Sequence, residues 1–209
     1  MKYGDKPKQL GLFEIDPKEM FFYQYLPIKL IGNIQPIFED RLKIFEEILG
    51  AICCDFIGEF GLDRYNDSYI YLTAKNLYQK ANCGFNRNGW HSDGFLTDDI
   101  NYIWSDCQPT IFNFSDFEIS NNDIKSMEEM NFQADPNNDA IYKNSRLLRL
   151  NQFNIHKVGD VEKGMRCFLK VSFSKDKYDL IGNSKNHLLN YNWEMRKRNE
   201  NRNIPQLLK

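Results

Sequence analysis

A chain of 209 residues with 42% hydrophobic and 14% aromatic side chains is long and apolar enough to bury one sizeable core, which excludes a natively disordered chain. Its formal net charge of −2 argues against capture of nucleic acid by the field of the whole molecule. The basic run Arg196-Lys197-Arg198, with Arg202 beyond it, reads as a solvated helix end whose cations complement the helix dipole.

The first segments point to mixed structure. Met20–Leu30 is rich in aromatic and β-branched residues and stops at Gly32-Asn33, as a strand would. Ile37–Ile57 carries helical spacing through Ile37, Leu42, Phe45, Ile48, Leu49 and Ile52, and Gly58 and Gly61 punctuate its end. Asp67–Thr73 alternates as a second strand. From Trp90 onward short β-like runs dominate: Trp90–Phe95, Ile100–Ser105 and Thr110–Phe114, joined by polar turns. Ser120–Met130 is a short helix capped by Asn121 or Asn122. Arg146–His156 and Met165–Ser174 are expected as two long strands around a turn at Gly159-Asp160, and Asn186–Asn199 as a closing amphipathic helix. The pattern predicts one mainly-β domain with flanking helices, of β-sandwich or jelly-roll type. Helical decoration is expected over about 1–65, the strand core over about 66–175 and the last helix over about 185–200.

Five cysteines (Cys53, Cys54, Cys83, Cys107 and Cys167) have no C-x-x-C or C-x-x-H spacing and are expected to be reduced. With no apolar signal segment after Met1 and no stretch of membrane-spanning length, a cytoplasmic protein without a membrane partner is expected.

Three histidines exist, His91, His156 and His187. In Trp90-His91-Ser92-Asp93-Gly94-Phe95, residues two apart on an extended chain project to one side, so His91 and Asp93 reach one metal ion, and Gly94 lets the backbone turn away. His156, at the end of a later strand, is the candidate third ligand. Two imidazoles and a carboxylate form the facial set that leaves positions open for non-haem iron(II). Structural zinc sites are closed by four ligands and favour thiolates, and no cysteine adjoins His91 or His156. Arg166 follows His156 by ten residues. A hairpin closing near Val161 sets the two opposite each other, about 5 Å apart at Cβ, with the guanidinium suited to gripping a carboxylate. In Met165–Ser174 the odd positions are apolar, and Arg166, Phe168, Lys170, Ser172 and Ser174 share the other face.

His91-Ser92-Asp93, the distant His156 and Arg166 ten residues later resemble the pattern of the Fe(II)/2-oxoglutarate-dependent dioxygenase superfamily, over roughly Tyr69–Ser174. The resemblance implies a double-stranded β-helix core of jelly-roll or cupin-like form. It also implies iron(II), with 2-oxoglutarate and dioxygen as cosubstrates, succinate and carbon dioxide as products, and Arg166 on the far carboxylate of 2-oxoglutarate. Some relatives carry Ser two residues after the arginine, where this chain has Phe168. The second contact to that carboxylate is therefore assigned to Tyr71 or Thr110, with Lys170 as a fallback anchor.

The loop Asn82–Gly89 leads into the metal motif, and within it Asn86 and Arg87 are candidate substrate contacts. Trp104 is a candidate aromatic wall, the polar stretch Ser115–Ser145 a candidate lid, and His187 a surface residue. A small polar molecule is the favoured substrate. The alternatives are a nucleotide or nucleic acid oxidised by the same mechanism, and a cupin-like metal enzyme that does not use 2-oxoglutarate.

Overall fold

The structure is a computed structural model that describes residues 2–81, 89–160 and 162–198. It is mainly β, with two antiparallel sheets and a few helices. The larger sheet has the order β1-β7-β4-β9-β3-β2 and the smaller the order β6-β5-β8. The large sheet comprises β1 (Lys8–Leu12), β2 (Phe21–Lys29), β3 (Tyr69–Gln79), β4 (Ile100–Ser105), β7 (Arg146–Leu150) and β9 (Gly164–Ser174). The small sheet comprises β5 (Ile111–Asn113), β6 (Asp139–Ile141) and β8 (His156–Lys157), extended by an isolated antiparallel bridge between His91 and His156.

Alternation along the central strands decides what lies on each side of the large sheet. Cys167, Leu169, Val171 and Phe173 of β9, with Ile100, Tyr102 and Trp104 of β4, join the outer core. Helix α1 (Glu46–Phe60) lays Ile48, Leu49, Ile52 and Phe56 on that face, and the Phe56 ring stacks on Phe173 at 3.9 Å between centroids. The helix ends where Gly61 takes φ +86°, followed by the short α2 (Leu62–Asn66). On the inner face, Ile103, Leu148 and Leu150 of the large sheet cluster with Phe112 of β5 against Phe168. The small sheet is thereby seated over the inner face.

Between the sheets the chain passes back and forth. It runs through β3 in the large sheet, His91 in the small, β4 in the large, β5 and β6 in the small, then β7 large, β8 small and β9 large. Helix α3 (Asp123–Gln133) begins at Asn122, whose side chain accepts from the amides of Ile124 and Lys125. No helix among the described residues is long and apolar enough to cross a membrane.

Four sequence expectations are corrected. The N-terminal region holds, beside the expected strand that forms as β2, an unexpected strand β1, and α-helix starts only at Glu46, after a 3-10 turn over Asp40–Phe45. The strand expected over Arg146–His156 is broken at Asn151–Asn154, where Asn151 accepts from the Phe153 amide and Asn154 from the Asn151 amide. These side chains replace ladder bonds and end β7. β8 and β9 form no hairpin, because β8 pairs with β5 while β9 pairs with β3 and β4. No helix forms over 186–198. Asn186 is buried and donates to the carbonyls of Pro27 and Ile37, and Arg196 bridges in parallel to Leu180.

Candidate metal centre

The site begins with backbone pairing. The His91 amide donates to the His156 carbonyl and the His156 amide to the His91 carbonyl, both at 2.9 Å. Residues that exchange two bonds lie directly opposite and project to one side, and the two imidazole centroids stand 4.6 Å apart. Each ring then bonds locally: His91 Nδ1 lies 3.0 Å from the Gly89 carbonyl and His156 Nδ1 2.9 Å from the Asn154 carbonyl. A carbonyl can only accept, so both Nδ1 atoms carry the proton, and Nε2 is the nitrogen of each ring whose lone pair can ligate a metal.

Asp93 enters from the turn that follows. Gly94 has φ +68°, and a Cβ there would stand 2.9 Å from both Asp99 Cβ and Thr97 Oγ1, so glycine is required for the chain to leave in that direction. His91, Asp93 and His156 offer one ligand atom each, all within 4.8 Å of one another. His156 Nε2 is 3.4 Å from Asp93 Oδ2, and Lys170 Nζ of β9 is 2.7 Å from the same oxygen. Burial works to raise the Asp93 pKa. The Lys170 ammonium opposes burial, and the carboxyl is held well below its ordinary value. The group is therefore an anion ready to ligate. Two nitrogens and one oxygen, without thiolate, make a three-donor set that would leave positions on a metal ion open, unlike a closed four-ligand structural site.

Arg166 does not stand opposite His156; its cross-strand partner is Leu77 on β3. It is buried on the inner face of β9, where Nε donates to the Cys107 carbonyl and Nη2 to that of Gln108. Both bonds leave Nη1 and the remaining Nη2 hydrogen as an edge for a carboxylate. Lys75 faces Phe168 across the β3–β9 ladder, between Arg166 and Lys170. Burial, with the charges of Arg166 and Lys170, pushes its ammonium down to about 8.

Other sequence candidates fall elsewhere. The Tyr71 hydroxyl donates to the Asp176 carbonyl and accepts from the Tyr178 amide, which occupies it away from the metal. Trp104 faces the outer core and donates to the Phe13 carbonyl, on the wrong side of the sheet for a substrate wall. Thr110 is buried beside Phe168, lining a void of about 10 Å³ that is too small for a cosubstrate. Asn86 and Arg87 lie outside the described residues, and His187 is exposed.

Several contributors were not singled out from sequence. Asn131 of α3 accepts from the Trp90 amide and donates to the Trp90 carbonyl, so the stretch read as a lid clamps the residue before His91. Tyr25 and Asn101 line, with Asp93 and the fallback anchor Lys170, a cavity of about 470 Å³. The period-two pattern on β9 set Lys170 on one face with Arg166 and left open whether that face lines a cavity or meets solvent. Nothing local marked Asn131, whose partner is 41 residues away.

No protein-family model matches the chain, and no curated protein is significantly similar to it.

Proposed function

We propose that this chain is an iron(II)- and 2-oxoglutarate-dependent oxygenase acting on a small polar molecule. The observation that carries the reading is the pair of imidazoles whose Nδ1 atoms are fixed on carbonyls while both Nε2 atoms converge with Asp93. The passage of strands between a large and a small antiparallel sheet supports a double-stranded β-helix core.

His91, Asp93 and His156 would hold the iron, and Lys170, paired with Asp93 Oδ2, would fix the orientation of that carboxylate. Bound iron(II), with 2-oxoglutarate and dioxygen, supplies oxidation of the substrate coupled to decarboxylation to succinate and carbon dioxide. The cationic strip Arg166, Lys75 and Lys170 on one face of the large sheet suits a dicarboxylate, and Lys75 takes the place of the second contact that Tyr71 and Thr110 do not provide. Phe168, Phe112 and Ile103 supply an apolar wall that excludes water beside those charges. The cavity of about 470 Å³ is the size of a small-molecule site.

One observation favours the cupin-like alternative, in which the metal works without 2-oxoglutarate. Two Arg166 donors are already used by the Cys107 and Gln108 carbonyls. Anaerobic titration of 2-oxoglutarate into iron(II)-loaded protein separates the two readings. A visible charge-transfer band and oxygen-dependent succinate release are expected. Metal binding with neither signal would leave the alternative standing and remove the oxygenase.

A further inference from the structure

The cavity that reaches Asp93 and Lys170 continues to the C-terminal segment, where Lys177, Lys197 and Arg198 line it. The charges in this lining are unevenly matched. Arg196 is held by Asp179, Asp99 accepts the Tyr178 phenol at 2.6 Å, and Asp93 belongs to the metal triad and to Lys170. Arg198 donates to the Asn183 side chain and the Ile181 carbonyl, which orients its guanidinium without neutralising it. Among the described residues neither Lys177, Lys197 nor Arg198 has a carboxylate within ion-pair distance, and Asp99 and Asp176, the acids of the lining outside an ion pair, are outnumbered by these three cations. In a chain whose net charge is −2, this is a local excess of positive charge at one mouth.

Two further features of the cavity are arranged for a ligand. Asn101 is 1% exposed, its Oδ1 accepts from the Ser172 hydroxyl at 2.6 Å, and its Nδ2 has no hydrogen-bond partner. A buried amide donor without an acceptor is costly unless something occupies the space it faces. Tyr25 sits at φ +47°, a left-handed conformation that is strained for an aromatic residue, at a break in the β2–β3 register. Its ring stands edge-on to Tyr178 at 5.2 Å, and the Lys170 ammonium lies 5.6 Å from its centroid. The bulge therefore presents an aromatic wall between the metal side of the cavity and its basic mouth.

We propose that this cavity takes a small organic anion, with Lys177, Lys197 and Arg198 holding a phosphate or carboxylate at the mouth and Asn101 donating to an acceptor deeper in. Calling that anion the oxidised substrate rests on the oxygenase reading; the binding site itself does not. Phosphate and carboxylate share the chemistry of a charged oxygen acceptor, and the volume limits the ligand to a small molecule.

The test is calorimetric titration of the full metal-free chain with phenyl phosphate, phenylacetate and the neutral phenylacetamide. Both anions, or one of them, should bind at least about tenfold more tightly than the amide. Whichever anion binds more tightly identifies the preferred group. Lys197→Ala with Arg198→Ala should bring anion affinity down to that of the amide, and Lys177→Ala, on a separate segment, should weaken it alone. Asn101→Ala should weaken 4-acetylphenyl phosphate, whose second acceptor can meet the buried amide, more than phenyl phosphate, whose far end is an apolar ring. Equal binding of charged and neutral probes, or a double variant that binds anions unchanged, overturns the proposal. So does anion binding lost only through Arg166→Ala, which would place the anion on the inner strip. Because no metal is present, anion binding without a 2-oxoglutarate band sinks the oxygenase alone, and a band without anion binding sinks the anion site alone.

Discussion

His91 and His156 are 65 residues apart in the chain, yet they form a reciprocal backbone pair in which each amide reaches the other's carbonyl at 2.9 Å. The metal-binding geometry is thus set by main-chain bonds, and the side chains can be removed without unpicking it. His91→Ala or His156→Ala should lower metal affinity by more than the roughly 10- to 100-fold typical of changes outside the ligand shell. The fold should persist. Manganese(II) titration followed by electron paramagnetic resonance, with circular dichroism as the control, measures both. Retained affinity in either variant would remove that histidine from the site.

Lys170 is the cation that compensates Asp93 when metal is absent, with both side chains largely buried. Lys170→Met leaves a buried carboxylate without its ammonium, and the metal-free protein should lose about 3 kcal/mol of stability. A divalent ion replaces the missing charge, so manganese(II) should raise the melting temperature of the variant by more than that of wild type. Equal rises in the two proteins would show that Lys170 and metal act independently on Asp93.

Gly89 holds two parts of the site at once: its carbonyl accepts from His91 Nδ1, and a Cβ on it would stand 2.6 Å from Asn131 Oδ1. Its φ of +79° adds strain for any other residue. Gly89→Ala should therefore push α3 off Trp90, tilt the His91 ring and reduce metal affinity about tenfold. Asn131→Ala, which removes the clamp and keeps the glycine, should give a smaller loss. Isothermal titration with manganese(II) on both variants checks the order.

Lys29 is fully buried, donates to the carbonyls of Tyr65 and Ser68 at 2.9 Å, and is pushed down to about 8 by burial. Between pH 8 and its ordinary value near 10.4 the unfolded chain binds a proton that the folded chain does not, so this group makes stability rise with pH. Lys29→Met lacks that contribution, and its stability relative to wild type should fall as pH goes from 7.5 to 9.5. Paired urea denaturation curves across that range test it; a constant gap would place the Lys29 pKa near its ordinary value.

The parts of the molecule legible in the sequence were those governed by local rules. Alternation assigned both faces of β9 correctly, and the cap of α3 was named as one of two asparagines. The three ligands were named from donor chemistry and spacing, and the structure brings them together. The relation between His156 and Arg166 was misread because ten residues of separation are equally compatible with a hairpin and with a crossing between sheets. The signal that decides it lies upstream, where Asn151 and Asn154 close a turn and send the chain to the other sheet. The C-terminal helix failed for a related reason. Its helical periodicity was real, but buried hydrogen bonds from Asn186 to β2 and the loop after it bind that stretch in an irregular path.

The ion pair between Lys170 and Asp93 has a mechanical side. Lys170 belongs to the large sheet, and Asp93 follows the segment that borders the small one, so the bond is a latch across the gap between them. Metal entering the triad shares Asp93 with that latch and draws His91 and His156 onto the same centre. Loading the site thus tightens one wall of the gap while renegotiating its tie to the other. The protein should answer a metal ion with a change in how far the two sheets breathe apart, visible as slowed amide exchange along β8 and the inner face of β9.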